Sequence, residues 1–203
     1  GQKLVYLVAL VCMLVLLVLA GLRFTALYAF LQWSSFILQN DYGVGAGGFG
    51  LMFAIITLGM TAGLQLSPLA IRRGVAPRAV LWAAYAVMAA SAVALALATG
   101  IGWVVASCAV LLLGCGLGLP TLQTLALAEH PEEAGTVAGL IGAVGFGSAL
   151  LASPALAVLP AVGLSYQSSL SVVVAVTTIA GAVLVFPLGP ARAALAEPEP
   201  SRS

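Results

Sequence analysis

Long runs of apolar residues, interrupted by short polar breaks, make up most of this chain. A helix needs about 20 mostly apolar residues to cross the hydrocarbon core of a bilayer, and six of the runs approach or exceed that length. The breaks contain residues that favour turns, among them Asn40, Gly43, Gly74 and Pro131. The pattern therefore predicts six membrane-spanning helices, over residues 4–38, 49–71, 79–98, 103–128, 136–159 and 169–186.

The two ends of the chain differ from the other predicted spans. The first run, residues 4–38, is longer than one crossing requires. It is either one long helix that tilts or extends beyond the membrane, or two elements divided near Gly21; we favour one helix. Residues 188–203 are rich in proline, alanine and charge, so they predict a disordered cytoplasmic tail after a membrane domain over 1–187.

The composition supports a lipid environment. Of the 203 residues, 63% are hydrophobic and 6% are charged, whereas a soluble domain carries roughly 25% charged residues. So few charges cannot cover a surface that faces water, and the lipid bilayer is therefore an expected partner. The net charge of +1 provides no basic patch, which argues against a nucleic-acid partner.

No motif in the sequence predicts an enzyme, a cofactor or a metal site. The one histidine, His130, lies in a short loop, and the three cysteines lack the Cys-x-x-Cys spacing of zinc sites. Ser148 and Ser153 lie in an apolar run without a neighbouring base, so neither is expected to act as a nucleophile.

Basic residues set the expected orientation. The first, third and fifth breaks contain no lysine or arginine. The basic residues outside the spans are Lys3, Arg72, Arg73, Arg78, Arg192 and Arg202. All of them fall on one side of a six-helix topology, and short loops rich in lysine and arginine stay in the cytoplasm. We therefore expect both termini to be cytoplasmic.

Small residues and polar residues are unevenly distributed among the six runs. Gly59 and Gly63 have the GxxxG spacing that lets two helices approach closely. Further glycines lie in the fourth and fifth helices, at Gly114, Gly116, Gly118, Gly135, Gly139, Gly142, Gly145 and Gly147. We expect these glycines to form helix contacts, or to let helices slide and bend. The third and sixth helices are poor in polar residues, so we expect them to be peripheral and lipid-facing, in a repeat of three helices.

Arg23 is the one charge well inside a predicted span, where an isolated charge is costly and often functional. The alternatives are that it extends to the cytoplasmic interface or pairs with a helix carbonyl. Tyr28, Gln32 and Ser35 follow at steps of four and three residues, so they form one stripe of the first helix. This stripe is the candidate substrate-binding surface, the alternative being ordinary hydrogen bonds between helices. Arg23 is nine residues from Gln32 and therefore faces the other way.

Four stretches in order along the chain resemble one transporter family. Residues 26–39, 42–54, 63–78 and 134–142 are similar to the Bcr/CflA branch of drug-resistance transporters in the major facilitator superfamily. The likeness covers roughly residues 24–160 of this chain and falls in the family's carboxy-terminal half, helices seven to twelve. Ser35 stands where the family usually has a proline, and the basic loop lacks the acidic residue of the fuller motif.

The resemblance implies an all-α fold of six transmembrane helices, half of a major-facilitator fold, built from two inverted three-helix repeats. It further implies a secondary transporter that exports small amphipathic compounds or drugs by alternating access, coupled to protons, in the bacterial inner membrane. An amino-terminal six-helix half, missing from this chain, would be the partner, and Arg72, Arg73 and Arg78 would form a cytoplasmic gating loop. The alternative is a non-transporting membrane scaffold subunit derived from a transporter half.

Overall fold

The computed structural model describes residues 2–129 and 134–185, and these residues are helical apart from short turns. The elements are α1 (Gln2–Ser35) with a π-helical extension (Phe36–Asp41), α2 (Ala46–Arg72), α3 (Pro77–Ala96), α4 (Ile101–Glu129), α5 (Ala134–Ala161) and α6 (Tyr166–Val185). The prediction of an all-α chain is confirmed over this part of the sequence. His130 and the tail predicted over 188–203 lie outside it.

All six helices are long and apolar enough to cross a membrane. The first run is one continuous helix through Gly21, so the single long helix is confirmed and the break near Gly21 is wrong. Its 34 residues extend about 50 Å, against a hydrocarbon core of about 30 Å. The helix must therefore tilt, or one end must leave the hydrocarbon.

Two equivalent turns connect α2 to α3 and α5 to α6. Each contains a glycine with positive φ, Gly74 at 87° and Gly163 at 92°, a conformation that other residues rarely adopt. In each turn the next residue's N–H donates to a carbonyl five residues earlier, Val75 to Ala70 at 3.1 Å and Leu164 to Leu159 at 3.4 Å. Both helices therefore end in the same glycine-dependent way.

The helices pack in a definite scheme. Both α2 and α3 pack on α4, and both α5 and α6 pack on α1. The remaining main contacts join α1 to α4 and α3 to α6. Exchanging α1, α2 and α3 with α4, α5 and α6 leaves this set of packed pairs unchanged.

A row of small residues on α2 makes the α2–α4 contact possible. A Cβ atom at Gly59 would overlap the carbonyl of Ala109, and one at Gly63 would overlap that of Leu113. One turn further, the hydroxyls of Ser67 and Thr121 are 2.8 Å apart. The expected close approach at Gly59 and Gly63 is therefore confirmed.

The glycines of α5 behave differently from those of α2. Gly145 packs against the ring of Phe24. A Cβ atom added at Gly135, Gly139, Gly142 or Gly147 would meet no heavy atom within 4 Å. For these four glycines, the expected helix contact is wrong within the described chain.

The least covered helices are α2 and α5, whereas α3 and α6 are about half buried. Within this bundle the third and sixth helices are therefore not the least covered ones, because both pack on other helices and on each other; that they face lipid stays a prediction. Their exposed residues are nevertheless all apolar, for example Trp82 and Val93 on α3 and Val176 and Ile179 on α6.

Candidate functional site

Two residues of the predicted stripe, Tyr28 and Gln32, face α5. Together with Phe146, Leu150 and Ser153 they line a groove of about 260 Å³, here called the α1–α5 groove. The side-chain amide of Gln32 donates a hydrogen bond to the hydroxyl of Ser153. Gln32 therefore lines the groove and ties α1 to α5.

Gln32 also borders a second groove, of about 330 Å³, towards the carboxyl end of α1. This groove is lined by Gln32, Trp33, Phe36, Ala157, Pro160 and Tyr166. The rings of Phe36 and Tyr166 stack at 4.9 Å along its edge. Gln32 thus lines both grooves.

Aromatic rings form the other end of the α1–α5 groove. The rings of Phe24, Tyr28 and Phe146 lie with centroids 5.9–6.4 Å apart. Phe146 keeps 62% of its surface exposed. The groove therefore offers aromatic faces beside the amide of Gln32 and two hydroxyl groups, a mostly apolar wall with a few polar groups.

Ser35, the third residue of the predicted stripe, lies outside the α1–α5 groove. Its hydroxyl accepts a hydrogen bond of 2.7 Å from the amide of Gln39, one turn along the same helix. Of the three residues predicted on α1, two therefore line the groove. The prediction missed Ser153, Phe146 and Leu150, because nothing in the pattern of α5 indicates which of its faces meets α1.

Arg23 lies on the opposite side of α1, as its spacing from Gln32 predicts. It is 1% exposed, so extension to the interface is wrong. Its Nη1 donates to the carbonyl oxygen of Gly114 at 3.1 Å, and the sulfur of Met88 is 3.6 Å from the same nitrogen. Pairing with a helix carbonyl, one of the alternatives, is confirmed.

The guanidinium of Arg23 is sandwiched between two other helices. On one side the guanidinium covers Gly118 of α4 so closely that a Cβ atom added at Gly118 would overlap the guanidinium. On the other side it lies 4.4 Å from the centre of the Tyr85 ring, and that ring in turn packs on Gly181 of α6. These four residues, Gly118, Arg23, Tyr85 and Gly181, form a layer through α4, α1, α3 and α6 that we call the Arg23 stack.

The hydrogen bonding of Arg23 is incomplete. Its Nε and Nη2 have no hydrogen-bond partner among the residues that the structure describes. The groups around it are a carbonyl, a thioether and an aromatic ring, none of which carries a formal charge. The positive charge is therefore buried without a counter-charge in direct contact.

The basic residues between α2 and α3 lie together at one end of the bundle. Arg72 ends α2, Arg73 follows as its cap and Arg78 lies in the first turn of α3. Arg73 borders a shallow groove of about 230 Å³ whose other walls are apolar residues of α2, α3 and α4. This position lies beside the ends of α2 and α3 and the middle of α4, and Arg73 does not line the α1–α5 groove.

A larger cleft lies elsewhere and has an almost wholly apolar lining. It measures about 680 Å³ and is lined by Ala89, Ala90, Val93, Ala94, Leu97 and Trp103. None of these side chains except the indole N–H of Trp103 can hydrogen-bond. Over residues 2–129 and 134–185, no group of three or more histidine, cysteine, aspartate or glutamate side chains could hold a metal ion.

Comparisons with known proteins do not assign this chain to a family. No protein-family model matches the sequence. A search of curated proteins finds no match either.

Proposed function

We propose that this chain is the carboxy-terminal half of a major-facilitator-type secondary transporter of the drug-resistance branch. Its task is the proton-coupled export of small amphipathic compounds by alternating access, in the bacterial inner membrane. The observation that carries the proposal is the packing scheme, which is unchanged when α1–α3 are exchanged with α4–α6. The motif resemblance supports it independently.

The exchange symmetry favours two related units of three helices. A unit with three spans starts on one side of the membrane and ends on the other, so the second unit begins inverted. The matching glycine turns at Gly74 and Gly163 fall at equivalent places, between the second and third helix of each unit. Inverted repeats of this kind place the substrate site between the units.

The exposed surfaces favour a protein partner on one side of the bundle. Polar side chains are costly against lipid tails and usually face protein or water. Exposed polar side chains lie on α2, α4 and α5, at Thr61, Gln65, Gln123 and Thr136, whereas the exposed residues of α3 and α6 are apolar. The amino-terminal half therefore covers the side with α2 and α5, while α3 and α6 face lipid.

Within this proposal, Tyr28, Gln32 and Ser153 line the substrate path. Arg72, Arg73 and Arg78 hold the cytoplasmic ends of α2 and α3 and adjust the balance between inward-open and outward-open states. Reconstituted full-length protein should move at least one compound of an amphipathic panel into proteoliposomes when a proton gradient is imposed. If no compound moves under any gradient, the scaffold role is favoured instead.

The proposed orientation predicts which loops react with reagents outside the cell. In a background without Cys12, Cys108 and Cys115, single cysteines at Thr99 and Leu164 should react with an impermeant maleimide on intact cells. A cysteine at Ala76 should react only after lysis. All three positions are exposed, and they avoid the strained positive φ of the nearby glycines. If the Ala76→Cys protein reacted on intact cells, the proposed orientation would be wrong.

Removing the amide of Gln32 should alter substrate recognition without altering the fold. Gln32→Ala and Ser153→Ala should each raise the half-saturating concentration of affected substrates about two- to tenfold, as expected for the loss of one hydrogen bond. Abundance in the membrane should stay near normal, because Gln32 is exposed. The measurement is uptake at varied concentrations for several substrates.

Ser35→Ala is the matched control for Gln32→Ala, since Ser35 bonds within α1 and does not line the groove. The dependence of uptake on substrate concentration in the Ser35→Ala protein should match that of the wild type. If Ser35→Ala changed the substrate profile while Gln32→Ala did not, the α1–α5 groove would not be the substrate path.

A further inference from the structure

The charges of this chain are distributed so that its membrane interior is positive. The six acidic residues are Asp41, Glu129, Glu132, Glu133, Glu197 and Glu199. Asp41 and Glu129 are the last residues of the π-helical extension and of α4, and the others lie in a predicted break or in the tail. Arg23 is thus the one formal charge deep within the six helices as the structure describes them, and no acidic residue of the described chain lies at its depth.

The charge of Arg23 is permanent and unneutralised by its contacts. A guanidinium stays protonated in proteins. Arg23 is 1% exposed and touches only uncharged groups, and its Nε and Nη2 have no hydrogen-bond partner among the residues that the structure describes. Neither water nor an ion-pair partner in contact with Arg23 therefore screens the electric field of its charge.

That field reaches the α1–α5 groove. Tyr28 and Gln32 are five and nine residues along α1 from Arg23, which corresponds to an axial rise of about 7–14 Å, and the helix is about 10 Å wide. The groove therefore lies on the order of 15 Å from the guanidinium. Its described lining consists of Tyr28, Gln32, Phe146, Leu150 and Ser153, with no charged side chain to oppose the field.

We propose that Arg23 is a specificity-determining residue that makes the α1–α5 groove favour anionic over cationic amphipathic substrates. It acts through its field across the helix and does not touch the substrate. This inference rests on the proposed transport function and names the substrate class of that same groove.

The size of the effect follows from Coulomb's law. At about 15 Å and an effective dielectric constant of about 20, a single negative charge in the groove is bound about sixfold more tightly than a neutral group. A single positive charge is bound about sixfold more weakly. A matched anion and cation should therefore differ by about fortyfold in dissociation constant. A neutral analogue should fall between them and should not respond to the charge of Arg23.

The test uses three amphipathic probes with the same aromatic body, ending in a sulfonate, a neutral amide or a quaternary ammonium group. Equilibrium binding of each probe is measured on the full-length protein in nanodiscs of zwitterionic lipid, so that partition into the lipid is not biased by charge. Arg23→Met and Arg23→Gln both remove the charge, and the glutamine retains a donor for the carbonyl of Gly114. Arg192→Gln removes a positive charge that follows the last helix in the sequence and serves as the control.

In the wild type and in Arg192→Gln, the sulfonate probe should bind about fortyfold more tightly than the ammonium probe. In Arg23→Met or Arg23→Gln the ratio should fall to within about threefold of unity, with binding of the neutral probe unchanged. The inference is wrong if the wild type binds the ammonium probe more tightly than the sulfonate probe. It is also wrong if the preference for the sulfonate probe is unchanged when the charge of Arg23 is removed. Failure of the transport function is recognised separately, because then no probe is moved by a proton gradient.

Discussion

Gly63→Ala should destabilise the bundle more than any other single-methyl substitution on α2 except Gly59→Ala. The added Cβ atom would overlap the backbone carbonyl of Leu113 and crowd the backbone of Gly116 and Leu117. Backbone atoms of a packed helix cannot rotate away, so α2 and α4 must move apart. We expect a loss of about 2–4 kcal/mol in stability, at or slightly above the usual range for an overpacked core.

The measurement is thermal unfolding in detergent, followed by the reaction of a fluorogenic maleimide with Cys108 and Cys115. Both thiols are buried in α4, so they react when α4 loses its neighbours. Gly139→Ala is the matched control, since it adds the same methyl group to a helix interior with no atom within 4 Å. Its unfolding temperature should be unchanged or slightly higher, because alanine favours a helix over glycine. Equal effects of the two substitutions would contradict the α2–α4 packing.

These two glycines show what the sequence can and cannot predict. GxxxG spacing marks Gly63 correctly, because the spacing itself creates the flat surface that a second helix needs. Gly139 has the same spacing, to Gly135, yet no other helix covers it among the residues that the structure describes. Composition reveals that a surface permits close approach, whereas the presence of a partner there depends on the tertiary arrangement.

Arg23 and the stripe illustrate the same limit for polar residues. Helical periodicity correctly separates Arg23 from Tyr28 and Gln32, because nine residues of an α-helix turn a side chain to the opposite face. It cannot identify Gly118 and Tyr85 as the surfaces that enclose the guanidinium, since these come from helices distant in sequence. Ser35 does not line the groove, and its hydroxyl instead accepts a hydrogen bond from Gln39, one turn along the same helix.

The number of spans and their character were predictable, whereas their relative burial was not. Long apolar runs predict membrane helices directly, and the described chain has six helices long and apolar enough to cross a membrane. A shortage of polar residues in α3 and α6 suggested a peripheral position. The shortage does not reveal how much of each helix other helices cover, because serine and threonine can be buried by bonding to backbone, as the Ser171 hydroxyl does to the carbonyl of Ala92 at 2.7 Å.

Arg23→Ala should lower stability by about 2–4 kcal/mol, because truncation leaves a cavity and removes the bond to the Gly114 carbonyl. Arg23→Met should be neutral or stabilising, since a buried charge replaced by an apolar side chain of similar length no longer needs solvation. The same maleimide assay distinguishes them. If Arg23→Met lowers stability as much as Arg23→Ala, the charge of Arg23 itself stabilises the helix packing.

The Arg23 stack makes a sharper prediction for paired substitutions. Gly118→Ala alone should be strongly destabilising, because its Cβ atom would occupy the space of the guanidinium. In the Arg23→Ala background that space is empty, so the same methyl group should restore part of the lost stability. Residues in direct contact commonly show coupling energies of about 0.5–3 kcal/mol in double-mutant cycles. We expect a coupling of about 2 kcal/mol or more in the favourable direction, and strictly additive losses would show that Arg23 does not pack on Gly118.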